Sequence, residues 1–195
     1  MGDSILEHPC INIIYDDRNP DDYPRLIGEF IKQTVTPKYK FWSCIMDRGS
    51  VVKSINASHK MIVQWAKNNN LPYVCVAEQD LEFTCDKAWQ YFLEQMPKDF
   101  DIYLGCSYIK NLNPNTEVVD NLICGFQLYV VASKFYDAFL SVDDSAHIDT
   151  AVGDLKGNVK FCKPFVALQR SGFSANNKTI VNYNVVLNEE DIYRG

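Results

Sequence analysis

The stretch Tyr73-Val74-Cys75-Val76-Ala77-Glu78-Gln79-Asp80 joins an unbroken apolar run to a polar triplet with two carboxylates. A short continuous apolar run of this kind is typical of a central strand that is buried on both faces of a sheet. The triplet places Glu78 and Asp80 directly after that strand. Because ligands of open α/β sheets bind beyond the carboxyl ends of the strands, these two acids are the first candidates for a functional site.

Two strand and helix patterns precede this strand. Residues 10–15 and 39–46 are apolar runs of strand length, and the first ends in a polar loop at residues 16–20. Apolar residues recur at helical spacing from Tyr23 onward and again over residues 50–69. The order strand, helix, strand, helix, strand predicts an α/β fold with a mostly parallel central sheet flanked by helices.

The second half of the chain has a less regular pattern. Its predicted elements are a helix capped by Thr84, a strand at 101–105, a long polar loop at 107–121, a strand at 122–132, helices at 133–140 and 148–155, and a strand at 159–166. Loops as long as the polar one are uncommon in compact domains unless they bind or gate a ligand. We therefore predict one domain over residues 1–175 and a tail over residues 176–195 that either packs on this domain or extends from it.

Composition narrows the class of protein. A chain of 195 residues with 47% hydrophobic residues can bury a full core. The net charge of -6, without any run rich in Lys or Arg, argues against nucleic acid as a partner. The apolar runs are too short for a membrane span and the first residues lack the layout of a signal peptide, which predicts a cytoplasmic protein. The seven cysteines form no CxxC pair and are predicted to be reduced thiols.

Glu78 and Asp80 are spaced as a pair of metal ligands would be. Carboxylates two residues apart on an extended segment can both turn towards one hard cation, and Mn²⁺ or Mg²⁺ favours carboxylates together with diphosphate oxygens. Taken alone, two acids after a strand are equally typical of an ordinary solvated loop. Whether Glu78 and Asp80 form a metal site or an ordinary loop has to be judged from the surrounding sequence.

The order of motifs around the triplet resembles that of GT-A glycosyltransferases, and most closely the family 25, lipopolysaccharide-type enzymes. The similarity spans roughly residues 50–175. Its pieces are Ser58-His59 and Trp65 on the helix before the acidic strand, then Trp89, the run from Asp99 to Gly105, Gly125, Tyr129-Val130-Val131, Ile148-Asp149-Thr150, Pro164 and the segment from Gln169 to Ser174. Each piece has modest specificity, and their common order carries the resemblance.

The resemblance implies a GT-A-like fold with a small antiparallel addition to the sheet, and a metal-assisted glycosyltransferase. Such an enzyme transfers a hexosyl unit from a nucleoside-diphosphate sugar, here a UDP-sugar, to a hydroxyl of a glycan or protein. Glu78 and Asp80 would bind Mn²⁺ or Mg²⁺, and Asp149 would be the general base of an inverting reaction. The residues implied to bind the donor are Tyr15, Asp16, Asp17 and Arg18 after the first strand, together with His59, Gln169 and Ser174. His59 is expected either to orient the donor or to pair with Glu78 or Asp80.

Several residues have a second interpretation. Asp149 also suits the first turn of a helix, where an acid is favoured by the helix dipole, and Asp144 and Asp154 are weaker candidates for the base. Tyr108, in the polar loop, is the aromatic residue expected to stack on a sugar ring. Trp89 lies at helical spacing with its neighbours and is expected in the core.

The chain also departs from the family pattern. Gln79 stands where the family has an acid, and the last histidine is His147, whereas many GT-A enzymes supply a histidine ligand near their carboxyl terminus. These departures keep open a non-catalytic relative that only binds a nucleotide sugar or glycan. A nucleotidyl- or phosphoryl-transfer enzyme is disfavoured because no GxxxxGK loop is present. The chain is also short for this fold, so further domains of a longer protein could recognise the acceptor.

Overall fold

The computed structural model describes residues 9–108, 124–174 and 177–195. The strands in these ranges are β1 (Ile11–Tyr15), β2 (Tyr39–Ser43), β3 (Tyr73–Glu78), β4 (Leu81–Phe83), β5 (Ile102–Leu104), β6 (Leu128–Ala132), β7 (Val159–Phe161), β8 (Ala167–Gln169), β9 (Gly172–Ser174) and β10 (Thr179–Val181). The helices are α1 (Asp22–Ile31), α2 (Val51–Asn68), α3 (Ala88–Glu94), α4 (Tyr136–Leu140) and α5 (Ile148–Asp154), with 3-10 turns at Ser133–Phe135, Tyr183–Val186 and Glu189–Asp191.

Among the described residues, a central sheet contains six strands in the order β2-β1-β3-β6-β5-β7. Strand β1 pairs in parallel with β2 and β3, and β5 pairs in parallel with β7. Strand β6 is antiparallel to both of its neighbours, β3 and β5. Two small antiparallel pairs, β4 with β8 and β9 with β10, accompany this sheet. The predicted fold class, a mostly parallel sheet with a small antiparallel addition, is confirmed.

Helices cover both faces of the sheet because its central strand is apolar on both sides. In β3, Cys75 and Ala77 belong to the core that includes α1, whereas Val74 and Val76 belong to the core that includes α2. This alternation follows from the two-residue repeat of a strand. Helix α2 begins after Ser50, whose hydroxyl accepts a hydrogen bond from the backbone N–H of Lys53 at 3.2 Å. The site residues that follow β3 are therefore fixed by a core on each side.

Some predicted boundaries are wrong. Thr84 does not cap a helix: its backbone N–H donates to Val166 O at 3.1 Å, because the chain stays extended where β4 pairs with β8, and α3 begins at Ala88. Of the strand predicted at 122–132, the described residues 124–127 are not strand and Leu128–Ala132 are, while residues 122–123 and most of the predicted loop at 107–121 lie outside the described residues. The strand predicted at 159–166 ends at Phe161.

The carboxyl-terminal segment makes specific contacts with the rest of the chain. The ring of Tyr193 stacks on that of Tyr91 with centroids 3.9 Å apart, and the backbone N–H of Tyr193 donates to Phe165 O at 2.9 Å. Nearer to the sheet, Asn184 Nδ2 donates to Gln169 O at 3.0 Å. This segment therefore lies against α3 and against the carboxyl end of β8.

Two features predicted from composition can be compared with the structure. All seven cysteines lie in described ranges and are free thiols, and Cys75, Cys106 and Cys162 are buried. Burial raises the pKa of Cys162 to about 11, so this thiol stays protonated and unreactive at neutral pH. No helix in the described ranges combines the length and apolar character that crossing a lipid bilayer requires.

Candidate active site

A cleft of about 720 Å³ opens where β1 and β3 end and α5 begins. Its wall is formed by residues that follow strands, by one face of α2, and by the segment after β8. The predicted site residues that line the cleft are Asp16, Arg18, His59, Glu78, Asp80, Asp149, Gln169 and Ser174. The fold thus brings together side chains that are up to 158 positions apart, from Asp16 to Ser174, at one edge of the sheet.

Glu78 is held from the core side by a buried histidine. His59 Nε2 lies 3.1 Å from Glu78 Oε1, and His59 Nδ1 lies 2.7 Å from the hydroxyl of Tyr129. Because a carboxylate accepts hydrogen bonds, Nε2 is the donor to Glu78, and Nδ1 forms the second hydrogen bond with the Tyr129 hydroxyl. His59 is 1% exposed. Of the two partners expected for His59, the structure gives it Glu78, and this contact fixes the orientation of the carboxylate.

Two glutamines connect the two carboxylates. Gln127 Nε2 donates to Glu78 Oε2 at 3.4 Å and to Gln169 Oε1 at 3.1 Å, and Gln169 Nε2 donates to Asp80 Oδ2 at 2.8 Å. Sequence reasoning missed Gln127. Nothing in the sequence shows that Gln127 lies opposite the end of β3, where Glu78 N donates to Gln127 O at 3.2 Å.

Asp80 is the most unusual group in the cleft. Its Oδ1 is buried and has no hydrogen-bond partner among the described residues. Burial, and secondly the negative charge of Glu78, raise the pKa of Asp80 to about 7. Burying a carboxylate oxygen without a hydrogen-bond donor costs folding free energy unless a ligand binds to that oxygen. Asp80 therefore has the free oxygen that a bound cation would need.

The described residues fit a divalent cation only in part. They contain no group of three His, Cys, Asp or Glu side chains that converge as metal ligands. Asp80 offers a free oxygen, whereas both oxygens of Glu78 accept hydrogen bonds, from His59 and Gln127. Mn²⁺ and Mg²⁺ commonly use one or two carboxylates and take their remaining ligands from substrate phosphate and water. A cation held by Glu78 and Asp80 would therefore need further ligands from a diphosphate or water.

Gln79 has a structural role that explains the departure at this position. Its Oε1 accepts a hydrogen bond from the backbone N–H of Asp16 at 2.7 Å, and its backbone carbonyl accepts one from Arg25 Nη2. Arg25 Nη1 also donates to Leu81 O at 3.1 Å. The middle residue of the triplet therefore ties the end of β3 to the end of β1 and adds no third negative charge beside Glu78 and Asp80.

The four residues predicted after β1 separate into two pairs. Asp16 accepts from Arg18 Nε at 2.8 Å, and this ion pair lowers the pKa of the Asp16 carboxyl. Both of these residues line the cleft. Tyr15 and Asp17 are not among its lining residues: the Tyr15 ring packs edge-on against Phe41 at 5.6 Å, and Asp17 Oδ2 accepts from the Ser43 hydroxyl at 3.1 Å. A role for Tyr15 and Asp17 in donor binding stays a prediction.

Asp149 is oriented by two backbone groups. Its Oδ2 accepts from the backbone N–H of Gly125 at 2.9 Å, and its Oδ1 accepts from that of Thr150 at 2.8 Å. Each carboxylate oxygen keeps a second lone pair that can accept a proton or hydrogen bond from a ligand. Of the weaker candidates, Asp144 pairs with Lys60 at 2.6 Å and Asp154 is exposed, and neither is among the residues that line the cleft.

Gly125 allows a close approach that no other residue permits. Its φ is +108°, and an added Cβ would lie 2.5 Å from Gln127 Oε1 and 2.9 Å from Tyr108 Cδ2. We expect Gly125→Ala to lower the free energy of unfolding by about 2–4 kcal/mol through strain and displacement of these side chains. Urea unfolding measures this change. Gly28→Ala is the control, because a Cβ there meets nothing within 4 Å and should raise helix stability by about 0.5–1 kcal/mol. Equal effects of the two variants would contradict the expectation.

Comparison with known proteins identifies the fold alone. The sequence matches no protein-family model and no curated protein. Among solved structures, A197 from STIV resembles this chain with a TM-score of 0.50 and 14% identity, covering 89% of this chain and 93% of A197. A mutant of Drosophila β1,4-galactosyltransferase 7, in complex with manganese, UDP-Gal and xylobiose, has a TM-score of 0.50 and 15% identity, covering 89% of this chain and 69% of that one. The chain thus shares its overall fold with A197 and with a galactosyltransferase, and membership of family 25 stays a prediction.

Proposed function

We propose that this GT-A-type chain is a glycosyltransferase that moves a hexosyl unit from a UDP-sugar to a hydroxyl of a glycan or protein. The observation that carries the proposal is the carboxylate pair in the cleft, where Asp80 Oδ1 is buried near Glu78 and has no hydrogen-bond partner among the described residues. The proposal is supported by the position of this pair at the carboxyl end of a central strand, where α/β sheets bind their ligands.

In this proposal Glu78 and Asp80 hold Mn²⁺ or Mg²⁺. The cation, when bound, offsets the negative charge that develops on the departing diphosphate. His59, Gln127 and Gln169 keep the two carboxylates in place through the hydrogen bonds described above. Asp16 and Arg18, which line the cleft after β1, contact the donor in this proposal.

Asp149 accepts the proton of the acceptor hydroxyl in this proposal. As the acceptor oxygen forms a bond to the anomeric carbon of the sugar, the bond from that carbon to the diphosphate oxygen breaks, and UDP leaves with the bonding electrons. The proton passes to Asp149, and the configuration of the sugar is inverted. The bonds from Gly125 N and Thr150 N keep the carboxylate in one orientation, so the proposed base is held in place before the acceptor arrives.

The proposal is tested by measuring UDP binding and UDP release with the same protein. Isothermal calorimetry should show that UDP-sugars bind at least about tenfold more tightly with Mn²⁺ than with EDTA, because the diphosphate completes the cation shell. Incubation with a panel of UDP-sugars and Mn²⁺ should also release UDP slowly, by hydrolysis, before any acceptor is known. Binding without release under every condition would instead support the non-catalytic relative. Absence of any nucleotide binding would contradict both functions.

A further inference from the structure

Phe173 is unusually exposed for an aromatic residue. It is the middle residue of β9 and is 72% exposed, yet it lines the cleft that contains the carboxylate pair. Its cross-strand neighbour in β10, Ile180, is 79% exposed and is not among the residues that line the cleft. Large exposed apolar groups inside a cleft are typical of ligand contacts.

Polar side chains line the same cleft as Phe173. They include Ser174, Asn177 and Tyr183. The Ser174 hydroxyl accepts from the backbone N–H of Asn177 at 3.2 Å, and Asn177 Nδ2 donates to the Tyr183 hydroxyl at 2.5 Å. These hydroxyl and amide groups keep further capacity to donate and accept hydrogen bonds. The cleft therefore contains both an exposed apolar ring, Phe173, and several groups that can bind hydroxyls.

The aromatic residue expected to stack on a sugar does not have a free face. Tyr108 is 7% exposed, and its hydroxyl is used, since it accepts from Gln169 N and donates to Asn184 Oδ1 at 3.0 Å. Its burial raises its pKa. Tyr108 thus supports the wall of the cleft, whereas Phe173, which also lines it, is largely exposed.

We propose that Phe173 forms an acceptor subsite for a pyranose ring, with Ser174, Asn177 and Tyr183 binding the sugar hydroxyls. The C–H groups on one face of a pyranose carry a partial positive charge and pack on the negative face of an aromatic ring, while the hydroxyls point outward to polar partners. This inference rests on the proposed function and deepens it, because it selects a glycan acceptor over a protein hydroxyl.

The subsite can be tested without knowledge of the natural acceptor. Saturation-transfer NMR titrations would use xylobiose and the methyl glycosides of galactose, glucose and mannose, in the presence of UDP and Mn²⁺. We expect one or more of these sugars to bind, Phe173→Ala to weaken that binding about fivefold to tenfold, and Phe173→Trp to retain it. Ile180→Ala is the matched control, because it removes an equally exposed apolar side chain from the same hairpin outside the cleft, and it should leave sugar binding unchanged.

Other results would overturn the assignment. An equal loss of sugar binding in Phe173→Ala and Ile180→Ala, or a change of oligomeric state in Phe173→Ala by sedimentation, would make the hairpin an interface between copies of the chain. Loss of UDP affinity in Phe173→Ala, with sugar binding intact, would assign the ring to the nucleotide base. If the wild-type protein binds UDP but none of the sugars, the acceptor subsite is wrong and the proposed function stands. If it binds sugars but never UDP, the proposed function is wrong and the sugar subsite stands.

Discussion

Asp149→Asn is expected to lower kcat for sugar transfer by about 10²–10⁴-fold, the usual contribution of a general base. Asparagine keeps the shape of the side chain and one acceptor oxygen for the backbone donors Gly125 and Thr150, but it cannot take up the acceptor proton. Because Asp149 is not proposed to bind the donor, the affinity for UDP measured by calorimetry should stay within about twofold.

Asp154→Asn is the matched control for this result. Asp154 is the last residue of α5, the same helix that carries Asp149, but it is exposed and is not among the residues that line the cleft. The Asp154→Asn variant should therefore retain the full kcat for sugar transfer. If Asp149→Asn also retained its kcat, Asp149 would be only an acid in the first turn of a helix, favoured there by the helix dipole.

Asp80→Asn is expected to lower the affinity for Mn²⁺ by about 100-fold or more, because it removes the carboxylate with a free oxygen from a site with two protein ligands. Titration calorimetry with Mn²⁺ and UDP measures this affinity, and Mn²⁺-dependent release of UDP should fall with it. Asp86→Asn is the control: Asp86 is exposed, is not among the residues that line the cleft, and should bind Mn²⁺ and UDP as the wild type does. Unchanged Mn²⁺ affinity in Asp80→Asn would remove Asp80 from the site.

Although Asp80→Asn should weaken Mn²⁺ binding, it should increase the stability of the metal-free protein. The pKa of Asp80 is about 7 in the folded protein, above its ordinary value of 3.8, so the folded state binds a proton that the unfolded state has already lost between these values. Stability is therefore retained below about pH 4 and decreases as pH rises through 7. In EDTA at pH 8, Asp80→Asn should be more stable than the wild type, by on the order of 2 kcal/mol. Urea unfolding at pH 5 and pH 8 measures this difference, and an identical pH dependence in both proteins would contradict it.

Local sequence patterns predicted those strands and helices that do not depend on pairing with a distant part of the chain. The apolar run that became β3, the periodicity of α2 and the position of Asp149 at the start of α5 were all readable. Thr84 was misread because capping propensity is local, whereas the pairing of β4 with β8 that keeps Thr84 extended is not.

The sequence predicted several residues that line the cleft, but not the hydrogen bonds that connect them. Glu78 and Asp80 could be nominated from their position after an apolar run, and His59 from the resemblance to GT-A glycosyltransferases. The contact of Gln127 with both Glu78 and Gln169 depends on which strand lies beside β3, and no periodicity in the sequence shows that neighbour. Likewise, the apolar ring of Phe173 could not be distinguished from a core residue until its exposure was known.

The register of β6 against its antiparallel neighbour β3 determines which insertions and substitutions this protein can tolerate. Gln127 and Tyr129 lie two residues apart and so face the same side of the sheet, where one contacts Glu78 and the other contacts His59. A slip of β6 by one residue would turn both away together. A length change that shifts the register of β6 would therefore remove two supports of one carboxylate in a single event, even though it leaves every proposed ligand in the chain. We expect such register variants to be inactive, and substitutions on the other face of β6 to be tolerated as long as they pack.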